Sequence, residues 1–435
     1  MGKIELDHTG SGGGITLSSD GTSLLLDGSA VGGSALELYA ENPSSPTAPS
    51  ALGTNGIAIG DNAQALNFDD ALAIGSSSLA NNIQTQAVGR DTSATGSRSS
   101  AFGRSATASN SWSTAVGYGP TASGTSSLAL GRSATATGDY STAITNSYAS
   151  GVAAFAAVIT NSTSSYGATG ANSIAIGELA KSTGTTNGSV AIGHEAQATS
   201  RETVAIGSSA LASGSGGVAL GGYFGASNQA RATGTSSFVV SGYNGLFNRD
   251  TTASGLGSVA LSGGEASQTQ SIALGMSSAT IKGKLTKGAF PFGTDVGTTQ
   301  YGLLVLQNQT TDATAAVLVS DTDYTSPSTD NQIILPNNSA YSFSGTIIAR
   351  EDATDGSDYA SWEIKGALLR DANAASTVLG NGIVNKLYAT SGASAWAVAL
   401  TADTTNGGLK VEVTGAAATN IRWVATVNTS EVTYA

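Results

Sequence analysis

Residues 189–200 read Ser189-Val-Ala-Ile-Gly-His-Glu-Ala-Gln-Ala-Thr-Ser, and fourteen residues on the chain reads Thr203-Val-Ala-Ile-Gly-Ser-Ser-Ala-Leu-Ala-Ser. The same phrase, Ala-(Ile/Val/Leu)-Gly, ends copies at Gly60, Gly75, Gly89, Gly117 and Gly131, with Ala-Phe-Gly in its place at Gly103. Thr145 and Thr160 then take the glycine slot, and Gly177, Gly193, Gly207, Gly221, Ser241, Ser262 and Gly275 follow. A short fixed period of this kind marks a stack of similar units, each burying its apolar face against its neighbours. The longer gaps, 160–177, 221–241 and 241–262, predict loops that bud from the array.

Within a copy the residues have regular roles. Ile57 and Ile59 flank Ala58, Leu128 and Leu130 flank Ala129, and Val204 and Ile206 flank Ala205. Side chains alternate faces along a strand, so one face carries Ile, Val or Leu and the other a methyl. Both faces are apolar, which predicts a strand buried on both sides. A second short strand follows, with Ala63 and Ala65, Ala106 and Ala108, or Ala134 and Ala136, and Gly96, Gly124 or Gly138 closes the coil. A coil this short has a thin core. The expectation is that its Ala face stays in water unless several chains associate, most simply as an elongated trimer.

The surrounding chain has 435 residues, too many for one compact core. Charged residues are 11 %, well below the usual fraction, while Gly numbers 57. Residues 1–41 read as a small β domain, with a hairpin over 15–26 and a further strand at Leu36-Glu-Leu-Tyr. Residues 42–54, rich in Pro and Ser, read as a linker in which nothing pairs as a strand over 42–50. The repeats are assigned to 55–280 and a connector to 281–300. From 301 to 435 glycine thins and three of the four tryptophans appear. Alternating runs at 315–319, 332–335, 341–350, 361–369, 377–387, 395–402, 409–414 and 421–427 predict an antiparallel, jelly-roll-like β-sandwich.

The net charge of −12 excludes the basic stripe that nucleic-acid binding requires. The one basic cluster, Lys282, Lys284 and Lys287, reads as a solvated connector. With no cysteine there is no disulfide, thiolate metal site or cysteine nucleophile. The polar start, without an apolar core segment after it, reads as a chain lacking a secretory leader and first assembled in the cytoplasm. No apolar run approaches the ~18 residues needed to span a bilayer.

Chemistry is sparse. His194 follows a coil-closing glycine, in a slot used elsewhere by Asp61, Arg90, Arg104 and Arg132, which marks an exposed turn; His8 is similarly isolated. Asp69 and Asp70 are adjacent on a strand-like segment and face opposite ways, a poor acid–base pair. Asp352, Asp355 and Asp358 are candidates for a Ca2+ site, although their spacing is not that of an EF-hand loop, and a solvated hairpin tip is the simpler reading. Trp362, Trp396 and Trp423 sit in alternating strands, where they pack a core or, if exposed, form a receptor-binding carbohydrate platform. Tyr223, Phe224, Tyr243, Leu246 and Phe247 mark the two longest insertions as braces of a trimer or contacts to a partner. No catalytic residue and no cofactor site is assigned, and the chain reads as a non-enzyme.

Ser173-Ile-Ala-Ile-Gly-Glu-Leu-Ala, Ser189-Val-Ala-Ile-Gly-His-Glu-Ala and Gly217-Val-Ala-Leu-Gly resemble the head repeats of YadA-like trimeric adhesins. That resemblance implies a left-handed parallel β-roll in an intertwined homotrimer. The segment Gly2-Lys-Ile-Glu-Leu-Asp-His-Thr-Gly and the stretch from Trp396 to Gly415 resemble virion structural proteins of tailed phages, especially those of cyanobacteria. Together they imply a virion fibre or appendage. Its N-terminal region would meet other virion proteins, its roll would act as a spacer, and its C-terminal domain would meet a host-surface glycan or protein, with neither nucleic acid nor membrane insertion involved. A bacterial surface adhesin and a capsid-attached decoration fibre are the alternatives. A glycan depolymerase lacks a carboxylate pair, and an ice-binding array lacks a uniform Thr ladder.

Overall fold

The computed structural model describes residues 47–160, 163–184, 188–222, 229–241, 249–321, 326–352 and 358–434, together with Ser45 and the backbone of five short strands before it. It is an all-β chain in two compact units, 1–188 and 189–435. Among the described residues the only helical element is the 3-10 turn Ala374–Ser376.

In the first unit, the expected hairpin is present, with Ile15–Ser19 antiparallel to Leu24–Leu26 and to Ile4–Leu6. Beyond it the chain winds into a parallel solenoid. Three-residue strands such as Ile57–Ile59, Leu72–Ile74 and Gln86–Val88 stack on one side, and two-residue strands such as Gln64–Ala65 and Leu79–Ala80 stack on the other. The register is exact to the residue: Ala58 pairs with Ala73, Ala73 with Ala87 and Ala87 with Ala101. The ladder starts earlier than position 55. Ser50–Ala51 pairs with Gln64–Ala65, and Leu36–Leu38 pairs in parallel with Ile57–Ile59. The strand read as part of an N-terminal domain thus lies in the roll ladder, and the segment read as an unpaired linker contributes Ser50 to it.

The expected burial is inverted. Ala58, Ala73, Ala87, Ala101 and Ala115 are fully buried, as are Ala65, Ala80, Ala94 and Ala108 of the opposite strands. These methyls are the core, and the Ile, Val and Leu beside them are half-exposed. The two sheets of a coil leave room mostly for methyls, with Val239 and Ile159 the larger apolar side chains taken into the clusters, so the Ile, Val and Leu beside the core alanines point outward.

Turn chemistry enforces this closeness. Gly103 has φ +119°, and a Cβ there would overlap the carbonyl of Gly117 on the next coil. At the other turn, a Cβ on Gly124 would overlap the Gly138 carbonyl. At several strand starts a buried Ser or Thr donates its hydroxyl to the carbonyl three residues back. Ser113 reaches Asn110 at 2.6 Å, Ser173 reaches Gly170 at 2.6 Å and Thr92 reaches Gly89 at 3.0 Å.

The second unit begins with the same solenoid, from Val190–Ile192 through Val204–Ile206 and Val218–Gly221 to Ile272–Leu274. Its ladder runs past 280, since Leu285–Gly288 pairs in parallel with Ile272–Leu274. On its other edge Leu285–Gly288 pairs antiparallel with Thr299–Thr310, so the roll passes directly into the C-terminal sheet. That sheet runs Thr299–Thr310, Ile421–Thr433, Ser339–Glu351, Tyr359–Arg370 and Ile383–Ala389, all antiparallel. A smaller antiparallel sheet places Gly408–Thr414 between Ala397–Asp403 and the short strands Ala315–Val317 and Ile333–Ile334. Both sheets share one core, with Trp423 and Ala425 from the first and Val411 and Val413 from the second. The predicted sandwich is therefore present, with one strand, Thr299–Thr310, that its sequence reading did not identify.

Candidate interaction surfaces

The outward column of the roll is the largest apolar feature of the first unit. Ile74 pairs with Val88, Val88 with Phe102, Phe102 with Val116 and Val116 with Leu130. Each is only partly covered, and Leu130 is 41 % exposed. Magnitudes show why this matters. A coil's three or four buried methyls contribute roughly 3 kcal/mol at about 0.8 kcal/mol per carbon, whereas fully burying one Ile or Leu contributes about 1.5–3 kcal/mol. Where both outward residues are Ile or Leu, as in Ile57–Ile59, Leu72–Ile74 and Leu128–Leu130, covering them would stabilise the coil about as much as its own interior does, whereas Gln86, Ser100 and Thr114 take one of the two positions in the coils between.

The turns form the two edges of the roll. One carries the αL residues Gln84, Arg98, Trp112, Ser126 and Tyr140 on successive coils, with φ between 55° and 61°. Arg98 lies over the Trp112 ring at 4.7 Å and donates to Gln84 at 3.0 Å. Trp112 is 56 % exposed. The other edge carries Arg90, Arg104, Tyr118 and Arg132, all exposed, with Arg104 over the Tyr118 ring at 5.3 Å. The slot is a turn as read, exposed at Arg90, Arg104 and Arg132 but half-buried at Asp61 and His194, whereas nothing in the sequence reading singled out Trp112.

In the C-terminal domain the sequence-based candidates prove structural. Trp362, Trp396 and Trp423 are 1 %, 2 % and 0 % exposed, with Trp423 centred between the other two at 5.5 and 5.9 Å. Trp423 donates to Thr310 at 2.9 Å, and Lys386 covers Trp362 at 5.6 Å. They form the core of the sandwich and cannot be a carbohydrate platform. The exposed aromatic pair is instead Tyr359 and Tyr388, stacked at 5.1 Å across neighbouring strands.

The acidic candidates do not converge on a cation. Asp352 pairs with Arg422 at 3.0 Å, and Asp358 accepts from Thr390 at 2.6 Å and from the Gly392 amide at 3.2 Å. Asp355 lies outside the described residues, as do His8, Tyr223, Phe224, Tyr243, Leu246 and Phe247. Among the described residues no group of three His, Cys, Asp or Glu could hold a metal. Asp70 accepts from Asn55 at 3.1 Å on an exposed turn. His194 lies 3.9 Å from Glu195, also at a turn.

Three charged groups are buried among the described residues: Lys284, which the sequence reading placed in solvent, and Glu431 and Asp403, which it did not single out. Lys284, expected to be solvated, has its Nζ 2.6 Å from Glu431 and lies 5.4 Å from the centre of the Tyr341 ring. Tyr341 is itself pushed well above the ordinary phenol range, by burial first and then by Glu431. Asp403 is fully buried at the 403–407 turn. Burial opposes its ionisation, but hydrogen bonds from Gln332, from the Asn406 side chain and from the Asn406 and Thr405 amides outweigh that and hold its carboxyl below the usual range.

Comparison with known families agrees with this architecture. The YadA head domain repeat matches residues 51–78, 94–119, 122–144, 168–196, 187–210 and 198–223. No curated protein matches the chain. The matched stretches are similar to YadA head repeats, and together with the solenoid they support a YadA-like head-repeat architecture for the roll and point to an adhesin-type or fibre-type protein.

Proposed function

We propose that the protein is a non-enzymatic homotrimeric fibre, a virion appendage of tail-fibre type that serves as spacer and host-surface adhesion element. The observation that carries the reading is the outward column of Ile, Val, Leu and Phe from Ile74 to Leu130 beside a core made mostly of alanine methyls. Three rolls turned toward one axis would cover that column. Weak sites repeated three times would then gain affinity by multivalency without covalent chemistry. In this reading residues 1–41 attach to the particle and residues 301–435 face outward. The resemblance of the two terminal segments to virion proteins of tailed phages supports the virion over other settings. Light scattering is expected to give three times the chain mass; a monomer would remove the fibre. Immunogold labelling is expected to decorate virions.

A bacterial surface adhesin is the second reading, favoured by the repeat match itself. Gold on a bacterial surface and never on particles would select it.

A further inference from the structure

We propose that the edge of the roll formed by Arg90, Arg104, Tyr118 and Arg132 binds a linear acidic polysaccharide. These residues occupy one slot, immediately after the coil glycine, on four successive coils, and Arg104 stands directly opposite Tyr118 in the ladder. All four are exposed. Asp91 neutralises Arg90 at 3.0 Å, whereas Arg104 and Arg132 have no carboxylate partner among the described residues. The flanking rungs of the same slot, Ser76 and Asn146, are uncharged. A chain with net charge −12 thus concentrates unpaired cations on one narrow edge.

The ligand class follows from spacing and chemistry. Coils stack at ~4.8 Å, so the rungs of Arg104 and Arg132 stand about 9.6 Å apart, with Tyr118 midway. Two guanidinium groups at that interval suit a linear polyuronate, in which every second sugar can present its carboxylate to one guanidinium and receive a bidentate pair of N–H bonds. The phenol between them, held by Arg104, offers an apolar face to the intervening sugar. Duplex DNA is a poorer fit, since it carries a charge about every 1.7 Å and demands a denser stripe. A straight row of equal steps also suits a periodic polymer better than the irregular surface of an acidic protein. The proposal concerns the roll edge alone, so its failure leaves the trimer and virion readings untouched.

The test uses the full chain with polygalacturonate, dextran and duplex DNA as probes, read by calorimetry at low ionic strength. Binding to polygalacturonate that weakens as salt rises, with none to dextran, is expected. The double variant Arg104→Ser with Arg132→Ser should bind at least about tenfold more weakly. Serine already occupies this slot at Ser76, so the variant should fold. Arg98→Ser, on the opposite edge, should bind as wild type. Failure of the wild type to bind polygalacturonate, equal binding of DNA, or full affinity in the double variant would each overturn the assignment.

Discussion

Lys284 Nζ lies 2.6 Å from Glu431 Oε1, with the side chains only 4 % and 0 % exposed, and this pair links the end of the roll to the last strand of the sandwich. Gln300 donates to the other carboxylate oxygen at 2.6 Å, Thr429 also donates to the pair's carboxylate, and Gly302 leaves the room that both charges occupy. Lys284→Met strands a buried carboxylate and should cost about 3–5 kcal/mol, whereas Lys284→Met combined with Glu431→Leu should recover most of the loss. Urea unfolding of the three proteins checks this. An undiminished single variant would show the pair to be solvated.

The glycine column and the αL turns should respond in opposite directions. Gly103→Ala forces a side chain into the next coil's carbonyl at a φ that suits glycine, and should cost about 3 kcal/mol or prevent folding. Ser126, exposed with φ 55°, has no such neighbour to serve, and Ser126→Gly should gain about 1 kcal/mol by relieving its left-handed backbone. Thermal melts of both variants provide the comparison.

Val116 sits midway in the outward column, between Phe102 and Leu130. Val116→Asp should dissociate the proposed trimer while leaving the strand signal in circular dichroism intact. Light scattering reads the first outcome, and an unchanged trimer mass would move the subunit contact elsewhere.

Asp403 makes the protein acid-sensitive. Its folded carboxyl ionises below the ordinary value of about 3.9, so in that window the unfolded chain binds more protons. The stability it supplies is complete above about pH 5 and is lost as pH falls through the folded value. Asp403→Asn should be less stable near neutrality and should show a shallower acid loss, measured by denaturant unfolding across pH.

Trp112 is the exposed one of the four tryptophans, the other three being buried in the sandwich. Acrylamide should quench one component of the fluorescence strongly, and Trp112→Phe should abolish that component. Persistence of strong quenching in the variant would mean that the sandwich core opens.

The repeat, its strand pairs and its turns were legible because glycine and alanine recur in fixed slots. Which face was inside was not. Hydrophobicity argues for burying Ile57 over Ala58, yet the gap between the sheets is set by backbone approach, which sequence periodicity does not report. The Thr299–Thr310 strand escaped because it straddles an assumed boundary at 300, although its alternation through Leu304 and Leu306 is regular. Lys284 looked like a loop cation because its partner is 147 positions away at Glu431. For the tryptophans, alternation correctly favoured a core, and the geometry removed the receptor alternative.

The stacking of Gly103 on Gly117 has a genetic consequence. Each coil touches the one before and the one after through the same backbone contacts, so excising residues 104–117 would bring Gly103 against Gly131 in an equivalent join. Length in this region can therefore change by whole fourteen-residue steps without redesigning either flank. Reach is an inherited variable of this gene, adjustable in increments of one coil.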